Sequence, residues 1–505
     1  MSNFSVAPSL PTVADGRTHQ GLVGTDLWNF IFIENLHIIP TLLDIPRFSE
    51  ALASTLSQFP TFAGRLRHSK SKEWKIELTN SSVPVSIVKS HGRAIQHPFV
   101  VLDTLGRYIE PIDFANLINN DKPLVSFKLT FFPESNETAI GMTVSHFLAD
   151  GFQLLRFTKT LSSFYQQQNP EPFELQEPKT FLPDKGIGES HDPAPDLPFN
   201  QSIPAPDFWS TCHLDVPAAQ RRYISDYRNS SPINLRFSPE LLEKLRSTIV
   251  KDAVDTTGKS TSRCLDSAPW PQVDAESRLA SLELPEALIH QISRLDAVAG
   301  YLVSLINRHS PPDRRVTFIR NNFNFRNCAG SEYISGNGTA IISTNPLFGP
   351  NEQTSMSSMA LAIRRSIVQH GATVNGNAQT STMNESVIDA SLMLLVCFLG
   401  FLNMFVLASN RYDWNSAHFG FPGCTRFHTA WLANRYIRVF RSNPILELRE
   451  IEGRDVVDCA VVDAREGYID VQFKVDKEFR DVLQTRIDRD LEAVEKQGGF
   501  VFEDP

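Results

Sequence analysis

The chain has 505 residues, 41% hydrophobic and 21% charged, which places it among folded globular proteins and makes it long enough for more than one core. Its formal net charge is −9, and its basic residues are scattered, the densest clusters being pairs such as Arg221-Arg222 and Arg314-Arg315. That excludes a nucleic-acid or polyanion footprint. The six cysteines form neither C-x-x-C pairs nor a dense secreted framework and read as free thiols in a reducing compartment. The first twenty residues lack a basic segment followed by an apolar one, so no secretory signal is expected. The location that follows is cytoplasmic, and the N-x-S/T matches at Asn136 and Asn337 read as chance.

In chain order, "DLWNFIFIENL" is strand-like, and "IPRFSEALASTLSQFPTFAGRL" has helical spacing from Phe48 to Leu56 with a breaker at Pro60. "KEWKIEL" and "VPVSIVK" alternate as exposed strands, while "LVSFKLTFFP" and "TAIGMTVSHF" form a pair of core strands. After Gly151 the period changes, and Phe152, Leu155, Thr158 and Leu161 fall on one helical face. A proline-dense stretch follows, from Asn169 to about Phe208. Beyond it, "SPINLRFSPELLEKLRSTIV" is a strand and then a helix opening at Ser238-Pro239. A polar insertion spans about 251–282. The helix "RLDAVAGYLVSLINRH", the strand "RRVTFIRNNFNFR" and a pair of strands joined at Glu466-Gly467 come next, and an amphipathic helix closes the chain. The outline is α+β: an N-terminal half, 1–168, a crossover linker, 169–228, and a C-terminal half, 229–505.

One stretch competes with a purely globular reading. Residues 390–410, "ASLMLLVCFLGFLNMFVLASN", carry no charge over a length that could span a bilayer. Gly400, Asn403 and the Ser409-Asn410 turn signal favour a buried helix running into a buried strand, and the N-terminal flank has no basic residues.

The chemistry concentrates at "AIGMTVSHFLADGF", residues 139–152, where His146 and Asp150 sit on the connection from a strand to a helix. A histidine there can act as a general base. The chain has no G-x-S-x-G elbow, no cysteine in a protease context and no third metal ligand beside His146 and Asp150. Two readings remain open: a base working alone on a hydroxyl or amine, and a hydrogen-bonded structural histidine.

Ser145-His146-Phe147-Leu148-Ala149-Asp150-Gly151 resembles the S-H-x-x-A-D-G (HxxxD) signature of the BAHD acyltransferases, which use coenzyme A thioesters. "SQFPTFAGRL" at 57–66, "RLDAVAGYLVSLINR", "NFNFRN" with Arg326, "YISGNGTA" and "HFGFPG" at 418–423 are similar, in order, to further family motifs from about residue 22 to 440. The resemblance implies two chloramphenicol-acetyltransferase-like domains of mixed sheets and helices, joined by a long crossover loop, with a channel between them. It makes His146 the base for an acyl transfer, acetyl first, from a coenzyme A thioester to a hydroxyl of a secondary metabolite, as in the family's fungal branch. Acylation of an amine, a condensation-type activity and a degenerate non-catalytic member are the alternatives. Asp150 would support the loop, commonly through an arginine, and Gly151 would leave space at the channel. Arg326, His418 and Gly420 would belong to the bracing of the second half. His418 stands where the family has an aspartate, so it would either stay neutral opposite Arg326 or yield the role to a nearby carboxylate such as Asp413. Acyl-CoA enters as a co-substrate, with no permanently bound cofactor or metal. A monomer without nucleic-acid or membrane partners is expected.

Overall fold

The computed structural model describes residues 2–10, 16–22, 26, 31–70, 73–113, 116–170, 225, 227–257, 285–324, 336–344, 355–373, 403–430, 434–451, 454–463 and 465–497. In the first half these form β1 (Ser2–Val6), β2 (His19–Gly21), β3 (Phe32–Ile39), α1 (Ile45–Gln58), β4 (Arg65–His68), β5 (Trp74–Glu77), β6 (Val83–Lys89), β7 (Val125–Phe132), β8 (Glu137–Ser145) and α2 (Gly151–Tyr165). The second half begins with β9 (Ser230–Phe237), α3 (Pro239–Thr257), α4 (Pro285–His290), α5 (Arg294–His309), β10 (Phe318–Asn324), β11 (Thr339–Ser343) and α6 (Met356–Thr373). It ends with β12 (Asn403–Ala408), β13 (Arg426–Thr429), β14 (Tyr436–Arg441), β15 (Ile445–Ile451), β16 (Arg454–Asp463), β17 (Ile469–Asp476) and α7 (Lys477–Gln497).

The fold is mixed α+β, as expected, and is built on two six-stranded sheets. The first runs β1-β6-β7-β8-β3-β13 and the second β11-β10-β12-β14-β17-β9. Each has its own core. On the first, α1, the 3-10 turn that follows it (Pro60–Ala63) and α2 pack Phe48, Phe62 and Phe157 against Phe127 of β7, with the Phe62 and Phe157 rings stacked 4.2 Å apart. On the second, α3, α5, α6 and α7 cover Ile233, Leu235, Val439, Val471 and Phe473. The last strand of the first sheet comes from late in the chain: β13 pairs antiparallel with β3, joining Arg426 to Ile38 and Thr429 to Asn35.

Its seat is secured by a buried ion pair, Arg426 to Glu137 of β8, with both side chains almost solvent-free. A second seam joins the segment after Phe99 to β17. Gln472 accepts from Val101 N and donates to Val101 O at 2.7 Å, and Lys474 meets Asp103 at 2.8 Å.

The core strands arise as the sequence pattern predicts, with β7 and β8 antiparallel and all nine residues of β8 buried. Three expectations change. "VPVSIVK" is not an exposed strand: β6 lies between β1 and β7, with Val83 and Val85 fully buried, so its alternation reflects two different covered faces. The two strands flanking Glu466-Gly467 do not pair with each other. β16 pairs with β15, whereas β17, buried along nearly its whole length, is claimed on both edges by β14 and β9. The buried face of α2 is Leu154, Phe157, Thr158, Leu161 and Tyr165, rotated from the predicted stripe because Phe152 and Leu155 are only partly covered.

Of the apolar run, residues 390–402 lie outside the described residues. Its end is β12, a central strand with Met404 and Val406 buried, followed by a turn at Asn410. Among the described residues no helix is long and apolar enough to cross a membrane.

Candidate active site

Backbone geometry places His146 one step beyond β8. Its N–H donates to Ile31 O at 2.8 Å, which extends the pairing with β3, and Leu148 N then turns back to Ser145 O at 3.0 Å. Phe147, Leu148 and Ala149 are buried and pin the turn from below. Asp150 ends the turn as the N-cap of α2: its Oδ1 accepts from Gln153 N at 3.0 Å, satisfying one of the helix's orphan donors. His146 itself stays partly exposed. At Gly151 the groups a side chain would meet are rings, Tyr412 at 3.4 Å and Trp414 at 3.7 Å.

The wall opposite comes from the stretch that leads into β11. Asn337 is fully buried, and its Oδ1 lies 3.1 Å from His146 Nδ1. Asn337 Nδ2 donates to His146 O at 2.9 Å, and Gly338 N donates to Asp150 Oδ2 at 2.9 Å. Asp150 therefore joins two functions in one carboxylate, capping α2 and holding the second half of the chain to the histidine loop. A histidine facing a carbonyl-type oxygen donates its Nδ1–H to it, and among the described residues Nε2 has no protein partner. The Nε2 lone pair is left for a substrate. Burial pushes the His146 pKa below its ordinary 6.5; Asp150 and the Asn337 hydrogen bond oppose the shift, and Arg438 adds to it.

Asn337 and Gly338 were not singled out from sequence as site residues. The signal was present in "YISGNGTA", but Asn337 stood there only as a chance N-x-S/T match, a reading that its burial fits. Arg326 lies outside the described residues. His418 is half-buried, and its Nδ1 accepts from Gly420 N at 3.2 Å, which a neutral imidazole can do and an imidazolium cannot. Its pKa is lowered by burial first and by Lys159, against a raising effect from Asp413, whose carboxylate lies 3.4 Å from Arg441. Beside it, Phe419 takes a left-handed φ of 51°, and Gly420 a φ of 98°. Phe419 is almost completely buried, its N–H donates to Ser162 Oγ at 2.8 Å, and its ring stands edge-on to Tyr165. The 418–420 loop thus clamps α2, the helix that Asp150 caps. Among the described residues no group of His, Cys, Asp or Glu is placed to hold a metal ion.

Solved structures share the fold. The solved structure of vinorine synthase shares the fold across 97% of both chains, with a TM-score of 0.56 at 14% identity. The F. graminearum TRI101 structure with coenzyme A and T-2 mycotoxin shares the fold over 95% of this chain and 99% of its own, with a TM-score of 0.52 at 12% identity. In sequence, residues 28–246 match the model of the Transferase family. Stemmadenine O-acetyltransferase of Catharanthus roseus is 25% identical over 329 residues, 62% of this chain and 66%, just under two thirds, of that enzyme.

Proposed function

We propose that the protein is a BAHD-type acyltransferase that moves an acyl group, acetyl first, from a coenzyme A thioester to a hydroxyl of a small secondary metabolite. The observation that carries this reading is the arrangement at His146: a partly exposed imidazole, held through Nδ1 by Asn337 and with Nε2 uncommitted among the described residues. The fold shared with vinorine synthase and TRI101 and the Transferase family match support it.

In this reading His146 Nε2 takes the acceptor's hydroxyl proton as the oxygen attacks the thioester carbonyl carbon. The C–S bond then breaks, the acyl group stays on the acceptor oxygen, and the imidazolium returns the proton to the thiolate. Asp150 keeps the loop in place and Gly151, without a side chain, leaves space beside the Tyr412 and Trp414 rings. Arg326 braces the second half, His418 and Gly420 shape the loop by which that half holds α2, the two halves meet about the channel with 169–228 as crossover, and the protein works as a cytoplasmic monomer. Acyl-CoA is a co-substrate.

The test is incubation with acetyl-CoA and a panel of hydroxylated metabolites and primary amines, reading free thiol and an acyl mass gain. Acetylation of a hydroxyl, absent in His146→Ala, is the expected result. A gain on amines alone would move the reading to N-acylation, and no turnover with any acyl-CoA and acceptor tried would overturn it.

A further inference from the structure

Asp26 belongs to none of the motifs that point to the site, yet it is 1% exposed and reaches into it. Its Oδ1 accepts two bonds from Asn337, from the backbone N at 3.0 Å and from Nδ2 at 3.2 Å. Asn337 Nδ2 also donates to His146 O. With its NH2 group facing a carboxylate and a carbonyl, the amide cannot turn over without setting oxygen against oxygen. Asn337 Oδ1 is therefore held toward His146 Nδ1, 3.1 Å away, and an oxygen there accepts and never donates. The consequence for the ring is that Nδ1 carries the proton of the neutral form.

We propose that Asp26 is a positioning residue that, through Asn337, fixes the Nδ1–H tautomer of His146 and so keeps the Nε2 lone pair available. The chain of bonds runs from the first half of the sequence, through the stretch before β11, to the end of β8. Without the Asp26 carboxylate the Asn337 amide is held by His146 O alone, so turning its NH2 toward Nδ1 opposes one oxygen pair instead of two, and the ring can then move its proton to Nε2, where the base function on which this inference rests is lost. The other charges facing His146 are Asp150 on its own loop and Arg438 on β14. Asp150 accepts from Gln153 N and Gly338 N, and Arg438 donates to Ala430 O, so each acts on the ring through its charge, which shifts the pKa, whereas the Nδ1 contact of Asn337 selects the protonated nitrogen.

The experiment is nitrogen NMR of the full chain labelled in its histidine rings, with His146 assigned by the loss of its signals in His146→Gln. Wild type is expected to show Nδ1–H in neutral His146. Asp26→Ala is expected to shift the ring toward Nε2–H and to lower the release of free thiol from acetyl-CoA by at least about tenfold, with the KM for acetyl-CoA unchanged. Asp26→Asn keeps an oxygen acceptor at nearly the same shape; it should retain the tautomer but lower the His146 pKa, because the charge that polarises the Asn337 amide is gone. An Nε2–H ring in wild type, or a folded Asp26→Ala with the wild-type tautomer, overturns the proposal. Should Asp26→Ala not fold, an unshifted His146 pKa in Asp26→Asn overturns it equally. The ring readout needs no acceptor and no turnover, so a protein that shows the tautomer shift but transfers no acyl group would defeat the proposed function and leave this inference standing.

Discussion

His146 combines a depressed pKa with a fixed ring, and the two have separate consequences. Loss of the imidazole in His146→Ala is expected to lower the turnover of acetyl-CoA by roughly 10²–10⁴, with melting temperature little changed, because the side chain is partly exposed and its removal opens no core cavity. Initial rates at saturating substrate check this. The pH dependence follows from the direction of the shift: burial favours the neutral ring, so the rate should hold steady as pH falls to 6.5 and decline only below it, through the lowered pKa. A decline beginning above pH 6.5 would contradict that. At this level the sequence was half legible. Five residues of H-x-x-x-D lie close along the chain and announce themselves, whereas Asn337 is 191 positions away and Asp26 sits alone in "GTDLW".

β8 and β12 carry the predictions about elements. Gly141 lies in the middle of β8, and a Cβ there would come 1.8 Å from Tyr108 O, a backbone atom that cannot move aside. Gly141→Ala is therefore expected to destabilise the fold by about 1–3 kcal/mol or more and to displace the end of β8, where His146 begins. Urea melts together with acyl-transfer rates would show both losses; loss of neither would mean that the strand has room. In β12, Val406 is 5% exposed between β10 and β14, and Val406→Asp would bury an unpaired charge at a cost of roughly 3–5 kcal/mol. Loss of soluble folded protein is the expected readout, and unchanged recovery would remove β12 from the core. Helix and strand identities were legible here because burial imposes a period, but the phase of α2 was not. Its start is set by Asp150 and its inner face by the sheet below, so the covered residues follow the docking angle.

For the molecule as a whole, two buried histidines make stability depend on acid. Burial lowers His37 to about 4 and His428 to about 3, and their ring nitrogens bond to backbone carbonyls, Trp414 O and Phe99 O, so both are neutral donors in the fold. Each folded pKa lies below the unfolded value near 6.5. The stability they contribute is therefore complete above pH 6.5 and is lost as pH falls from 6.5 toward about 4 and about 3. The melting temperature should fall steadily between pH 6.5 and 4.5, and His428→Gln should reduce the proton uptake on unfolding by about one in that window. Equal slopes for the two proteins would show that His428 is not held neutral. Both residues lie where chain segments from the two halves meet, His37 on β3 and His428 on β13, so acid should loosen that seam first.

What the sequence determines by itself is local: the periods that make helices and strands, the proline-dense composition from Asn169 to about Phe208, and the four-residue spacing of His146 and Asp150 with its resemblance to an acyltransferase motif. Such features depend on neighbours along the chain, so they can be read from it. Only the tertiary structure decides that β13 completes the first sheet, that β16 and β17 part company, and that Asp26, Asn337 and Gly338 converge on the histidine loop. Those outcomes turn on which buried polar group meets which partner across the fold, a matter of long-range packing and hydrogen-bond satisfaction that leaves no periodic trace in the order of the residues.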